Sequence, residues 1–551
     1  MPTPRTESGG EGPVPPCFDT SQSRIKTPKG GAVSAVAVWN SPKRWWALAV
    51  LVMCVLVNGL DATILYVAMP ELVDALGASN SDLQWFHNAY LLVFASLMLP
   101  FGVLADRVGR KRLLLAGLAV FGLASGFATV VDSSGSLIFA RALMGLGAAI
   151  VTPVSLAMLP VLFAPRERAR ALAVWSAGVA LGLPIGPLAG GWLLEHFWWG
   201  SVFLINIPIL VVAMVAGLFL FPEHRGVREH AFDWQGAVLS VLGLGALTFA
   251  LTRAPEDGWL SGRTLGGSAI GLLLLGLFVL RERTTPHPLL NVRAFGERRF
   301  GASVLALLLV HFAMTGFLFM LSPYLQAVLG NSSLGTGVRM LPVVLAVMIG
   351  AGAAERLAPR VGPRGPVVTG LLLMCSGLLV FSTTGVASSE LAVALCQVPL
   401  GIGIGLTLAI AMHTALATAS DDKSGEASGI TSAFRQVGGV IGVAVLGSVL
   451  STGFRDDMKP LVAGLPAEAA DVAKDTVGAA LAVAEKLGPQ GRALAEAARR
   501  AYVDSMDTAL IGGAVVVFVL AAVVFGWMPR GGATPTAETP ADPSRPVTEH
   551  V

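Results

Sequence analysis

The chain has 551 residues, of which 54% are hydrophobic and only 13% charged, and its mean hydropathy is +0.70; a soluble domain carries about a quarter of its residues as charges. A formal net charge of +3 is too small to point to nucleic acid. Cys17, Cys54, Cys375 and Cys396 show neither CxxC nor metal-ligand spacing and read as inert packing residues, which leaves an all-α polytopic membrane protein.

Residues 1–42 are rich in Pro, Gly and Ser and hold no apolar core ahead of a small-residue cleavage site. They read as a disordered cytoplasmic tail, with the first hydrophobic helix acting as an uncleaved insertion signal. A membrane span needs roughly 20 apolar residues. Such runs occur near 45–70, 84–105, 112–131, 137–163, 171–194, 201–221, 233–252, 265–281, 300–328, 334–357, 366–386, 389–414, 427–451 and 508–528, about fourteen helices. Alternate loops at 106–112, 164–170, 222–233, 281–299, 356–364 and 421–425 hold eighteen Lys and Arg, whereas the intervening loops hold about two, Arg253 and Arg263. Cytoplasmic loops carry such an excess, so this set and both termini are expected in the cytoplasm of a cell-membrane protein. The Ala-rich stretch 452–507 carries charges at helical intervals and is expected as an extracellular loop of surface helices over the last two spans.

Arg107-Val108-Gly109 after the second span recurs as Arg360-Val361-Gly362 after the tenth, 253 residues on, and Gly145-Leu146-Gly147 recurs as Gly401-Ile402-Gly403, 256 residues on. Two features at nearly one offset predict two six-helix bundles, 43–222 and 286–530, with two linker helices at 223–285 between them and a second disordered tail at 531–551.

An ionised side chain in mid-bilayer costs on the order of 3 kcal/mol and marks a functional site by default. Asp61 lies some 24 Å along the first span at 1.5 Å per residue, with Asn58 three residues before it and able to bond it. Arg141 enters the fourth span from the other side and reaches a similar depth; His87 sits near the same layer. Asp61 and Arg141 read either as a protonation switch, with desolvation and a nearby cation shifting the acid in opposite senses, or as a static pair fixing helix register. In the fifth span Gly178, Gly182, Gly186 and Gly190, four residues apart beside Pro184 and Pro187, form one small-residue stripe, read as a sliding contact between the halves or as ordinary packing. His311, Gln326, Gln397, His413 and Arg435-Gln436 are further polar candidates for a central cavity or for helix–helix hydrogen bonds.

Gly145-x-Gly147 and Gly401-x-Gly403-x-Gly405 lie in apolar helices with no preceding strand, and no GxxxxGK[ST] is present, so phosphate binding is rejected. No HxxH or HxxxH pair and no Ser, His and acid cluster stands out, which disfavours an enzyme.

Taken in order, these residues resemble the major facilitator superfamily in its fourteen-helix drug/proton antiporter branch of QacA/EmrB type. Gly102-x-Leu104-Ala105-Asp106-Arg107-x-Gly109-Arg110-Lys111-Arg112 resembles the signature loop between helices two and three. Leu60-Asp61-x-Thr63 through Met69-Pro70 resembles the first-helix motif, Arg141 with Gly145 and Gly147 the fourth, and Gly182 through Gly186-Pro187 to Gly190-Gly191 the fifth-helix antiporter motif; Asn206-Ile-Pro208, Tyr324-Leu-Gln326 and Pro342 also fall in place. Met144 replaces a frequent Gln, and Trp199-Gly200-Ser201 replaces a usual Trp-Arg-Trp. The resemblance implies a monomeric exporter of small amphipathic organic compounds working by alternating access, with the proton gradient as driving force and no cofactor or metal. It assigns proton coupling to Asp61, modulation to Arg141, and a latch between the halves to Gly102, Asp106, Arg107, Gly109, Arg110 and Arg112. Asp61 would attract a cationic cargo; a lipid, siderophore or nutrient is the alternative.

Overall fold

The computed structural model describes residues 43–223, 233–286, 288, 295–417 and 424–529; the two tails assigned to 1–42 and 531–551 lie outside them. The described chain is helical. In order, the long helices are α1 Lys43–Leu76, α2 Asn80–Val108, α3 Arg110–Ala128, α4 Ser134–Leu162, α5 Pro165–His196, α6 Asn206–Leu220, α7 Trp234–Asp257, α8 Gly262–Thr284, α9 Arg298–Pro323, α10 Leu341–Val361, α11 Arg364–Phe381, α12 Glu390–Ala417, α13 Ser424–Leu461 and α14 Arg492–Trp527. One helical turn, Ser201–Leu204, leads into α6, and Ser333–Arg339 leads into α10.

Twelve of these helices, some with their lead-in turns, are long and apolar enough to cross a membrane. The other two, α2 and α5, carry runs free of Asp, Glu, Lys and Arg over 83–105 and 171–194. Hydroxyl and carboxylate caps set several starts: Ser79 and Asp82 form a capping box at α2, while Ser133, Asp233 and Ser261 accept backbone N–H groups at α4, α7 and α8. Arg253–Asp257, expected in a loop, continues α7 as helix, and α13 and α14 both extend into the stretch expected as surface structure. Between them Ala467–Ala473 and Val477–Lys486 form the short surface helices, the latter packed on α14.

Packing repeats with an eight-helix offset. Helix α1 lies on α5, α2 on α4, α3 on α4 and on α6; correspondingly α9 lies on α13, α10 on α12, α11 on α12 and on α14. The repeat extends to single atoms. Gly109 and Gly362, 253 residues apart, turn the chain into α3 and α11 with φ of 111° and 72°, a region glycine enters at little cost. A methyl at Gly145 would strike the Tyr90 carbonyl, and one at Gly401 the Val343 carbonyl, so each glycine admits the neighbouring backbone. The extra helices α7 and α8 pair with each other, and α7 also meets α2 and α13. Arg281 on α8 grips Asp233 at the start of α7 through Nε at 3.0 Å to both oxygens. Asp233 is buried, which raises its pKa, but the Arg281 hydrogen bonds and the Gly236 N–H outweigh this and hold the carboxyl below its ordinary value.

We call the end of the bundle at Lys43 proximal and the end at Leu76 distal. Among the described residues, hydrogen bonds and close contacts between the two six-helix groups occur in the distal half or near the middle. Gln326 Nε2 donates to the Val67 carbonyl at 2.8 Å, the Leu334 N–H donates to Glu195 Oε1 at 3.2 Å, and Gln84 lies against Gly447 and Ser448. Gly191 abuts Leu334, and Leu91 meets Gly439 near mid-depth.

Candidate functional site

Asp61 and Arg141 meet. Arg141 Nη1 donates to Asp61 Oδ2 at 2.6 Å, and both side chains are 0% exposed. The position follows from α1 and α4 crossing with small residues around the pair: Gly59 precedes Asp61, and Gly145 lets the α2 backbone approach α4. Arg141 also donates through Nε to the Phe86 carbonyl at 2.9 Å, contacts Met144 Sδ, and stands over the Tyr90 ring at 4.5 Å. On the acid side Asn206 Nδ2 lies 3.5 Å from Asp61 Oδ1 and donates to Ser125 Oγ at 3.1 Å, whose hydroxyl donates to the Phe203 carbonyl. One carboxylate and one guanidinium thus neutralise each other inside the bundle, the arrangement that makes removal of either charge costly.

Asn58 does not bond Asp61. Its amide donates to Thr152 Oγ1 on α4 at 2.9 Å, while Asp61 bonds Arg141 eleven residues earlier on the same helix. Asn206, Ser125 and Tyr90 complete the site instead; only Asn206 left a trace in the sequence, as an amide amid the apolar residues of the sixth span. His87 is buried and stacks on Tyr66 at 4.1 Å, with Phe319 beyond it.

The α5 stripe does not join the two six-helix groups. Gly178, Gly182, Gly186 and Gly190 face Val52, Gly59, Thr63 and Ile64, all on α1. The adjacent face of α5 makes the distal closure, where Gly337 lies on the Pro187 carbonyl. The signature-loop cations likewise bind locally: Arg110 donates to the Ala157 carbonyl at 2.6 Å, Lys111 to the Leu218 carbonyl at 2.6 Å, and Arg112 pairs with Glu223 at 3.6 Å. The carbonyls that Arg110 and Lys111 bond belong to α4 and α6 of the first six-helix group, and Glu223 directly follows that group. The Asp106 and Arg107 side chains lie outside the described set, and Gly102 sits against Pro153.

In the second group Gln397 is buried on α12 and donates to the Arg339 carbonyl at 3.0 Å. It stands 256 residues after Arg141, and Arg339 stands 253 after Phe86, so Gln397 makes the repeat's version of the Arg141–Phe86 bond. His311 is buried and receives a hydrogen bond from Arg435 Nε at 3.1 Å; His413 is exposed. A pocket lined by Thr63, Pro187, Phe317, Leu318, Val343 and Ile404 lies between the groups and is apolar. Among the described residues no group of His, Cys, Asp and Glu could hold a metal ion.

The Major Facilitator Superfamily model matches residues 51–443. The chain belongs to that superfamily. It is 34% identical over 511 residues to the multidrug efflux pump LfrA of Mycolicibacterium smegmatis, spanning 92% of this chain and 98% of that one. It is 34% identical to the methyl viologen resistance protein SmvA of Salmonella typhimurium, over 87% of this chain and 97% of that one, and 32% to the tetracenomycin C resistance and export protein of Streptomyces glaucescens, over 87% and 90%. Among solved structures it is similar to a bacterial homolog of the human lysosomal transporter Spinster, in an inward-facing and unoccupied conformation, with TM-score 0.62 and 18% identity over 88% of this chain and 98% of that one, a likeness of fold. The protein is a multi-pass membrane transporter rather than an enzyme.

Proposed function

We propose that the chain is a proton-coupled exporter of small organic compounds in the cell membrane, with all fourteen long helices spanning, both termini cytoplasmic, and six-helix halves at 43–222 and 286–530 flanking the inserted pair at 223–285. The relatives that are efflux and resistance proteins over nearly their full lengths support export. The observation that carries proton coupling is the fully buried Asp61–Arg141 pair. With Lys and Arg concentrated in the proximal loops, that end faces the cytoplasm and the distal contacts close the outside. In this arrangement the Asp61 carboxyl accepts from Arg141. A proton delivered to Asp61 removes the carboxylate charge and leaves a buried guanidinium with only a carbonyl, a sulfur and a ring. That state is disfavoured by about 3–5 kcal/mol, enough to bias a two-state rearrangement of the helices around it. Everted vesicles carrying the protein test this reading. An imposed pH gradient should drive accumulation of ethidium or fluorescein by wild type, and Asp61→Asn should abolish it; equal accumulation by the variant would sink the assignment.

A further inference from the structure

The second six-helix group contains a cation that the coupling scheme does not use. Arg435, on α13, is half-buried near the level at which α13 meets α2 through Gly439, one helical turn further on. Its Nε donates to His311 Nε2, and His311 Nδ1 in turn faces the Leu307 carbonyl at 3.2 Å. That chain of bonds fixes the imidazole with its Nδ1 proton on Leu307 and its Nε2 lone pair on the guanidinium, so the histidine is a neutral acceptor. Arg435 makes no ion pair with a carboxylate among the described residues, and its two terminal nitrogens, which carry four N–H donors, make no hydrogen bond to any of them.

A guanidinium held at membrane depth by one neutral ring is an expensive arrangement unless water or an anion completes it. The other deep cation, Arg141, is neutralised by Asp61. The net charge presented by these two sites together is therefore one positive charge, at Arg435. We infer that Arg435, oriented by His311, binds a carboxylate, phenolate or comparable acceptor group on the transported compound. This assignment rests on the export reading for its physiological meaning and replaces the expectation of a cationic cargo drawn by Asp61, whose charge Arg141 consumes.

Binding to the purified full-length protein in lipid nanodiscs tests it by fluorescence anisotropy, with fluorescein as the anion and ethidium as the cation. Wild type should bind fluorescein more tightly than ethidium. Arg435→Gln should weaken fluorescein by about tenfold and leave ethidium within about twofold. Arg435→Lys, which keeps the charge and loses the fork, should fall between them, and it preserves the test if the glutamine variant does not fold. His311→Leu should weaken fluorescein less than Arg435→Gln. Preference of wild type for ethidium, absence of fluorescein binding, or equal losses for both dyes in a variant with native melting would overturn the assignment. Vesicle transport is scored separately: a protein that binds fluorescein through Arg435 but moves no dye contradicts the exporter reading and leaves this site standing.

Discussion

Arg141 and Arg435 are both deep arginines in a bundle whose two halves repeat, yet they are treated oppositely. Arg141 has a carboxylate, a carbonyl, a sulfur and an aromatic face around it; Arg435 has one imidazole. The repeat shows that this is a property of sequence rather than of the frame. At the positions that correspond to Arg141 and Asp61 the second half carries Gln397 and, 249 residues after Asp61, Val310; the same 249-residue step relates the α1 and α9 atoms against which Gly186 and Gly442 pack. One half has spent its deep charges on each other, and the other has dispensed with the pair and kept a single cation elsewhere. Self-neutralised charges suit a switch that is broken and remade, whereas an unneutralised one suits recognition.

The strongest way to break this comparison is to make the first half imitate the second. Arg141→Gln alone should destabilise the protein by about 3–5 kcal/mol, because it strands the Asp61 carboxylate. The double variant Asp61→Val with Arg141→Gln should recover most of that loss in thermal melts while remaining uncoupled; a double variant no more stable than the single would show that the pair is not an isolated unit. Next in size is Gly182→Ala. A methyl there would lie 2.8 Å from the Gly59 and Leu60 backbone of α1, and the overpacking should cost about 1–3 kcal/mol, whereas the same change at Gly352, which has open space, should not be felt. A melt unchanged by Gly182→Ala would refute tight α1–α5 packing.

Smaller still is the effect of Gln326→Leu. Loss of its bond to the Val67 carbonyl should weaken distal closure by about 1 kcal/mol, seen as a longer distance between spin labels at His196 and Lys486 in a larger share of molecules. The smallest concerns the inserted helices. Asp233 has a pKa held below its ordinary 3.8, so the stability it adds is present above that value and lost as pH falls through the depressed one. The advantage of wild type over Asp233→Asn, under about 1 kcal/mol because Arg281 is partly exposed, should be flat from neutral pH to about 5 and shrink below 4.

Most of the frame was legible in the sequence because a bilayer demands long apolar helices and punishes a stray charge. The spans, the repeat offsets near 253 and 256, and the meeting of Asp61 with Arg141 all follow from that. What was not legible depends on helix rotation. Asn58 is one turn from Asp61 but turns to Thr152; the α5 glycines lie on α1 rather than on the other half; Arg110 and Lys111 reach carbonyls of α4 and α6. Periodicity says that residues share a face without saying which neighbour that face meets. Charge at 253–257 suggested a loop, yet helix α7 simply runs on through it, since polar helix beyond the hydrocarbon costs nothing.

The claim on which the account turns is that a proton on Asp61 and the Arg141 pair are mutually exclusive. The direct measurement is proton movement in proteoliposomes loaded with a pH-sensitive dye, started by adding whichever of fluorescein and ethidium the protein binds. Wild type should move protons across the membrane in step with the dye, and both Asp61→Asn and the Asp61→Val, Arg141→Gln double variant should move none while still binding it. Substrate-linked proton flux at the wild-type rate in either variant would contradict the account.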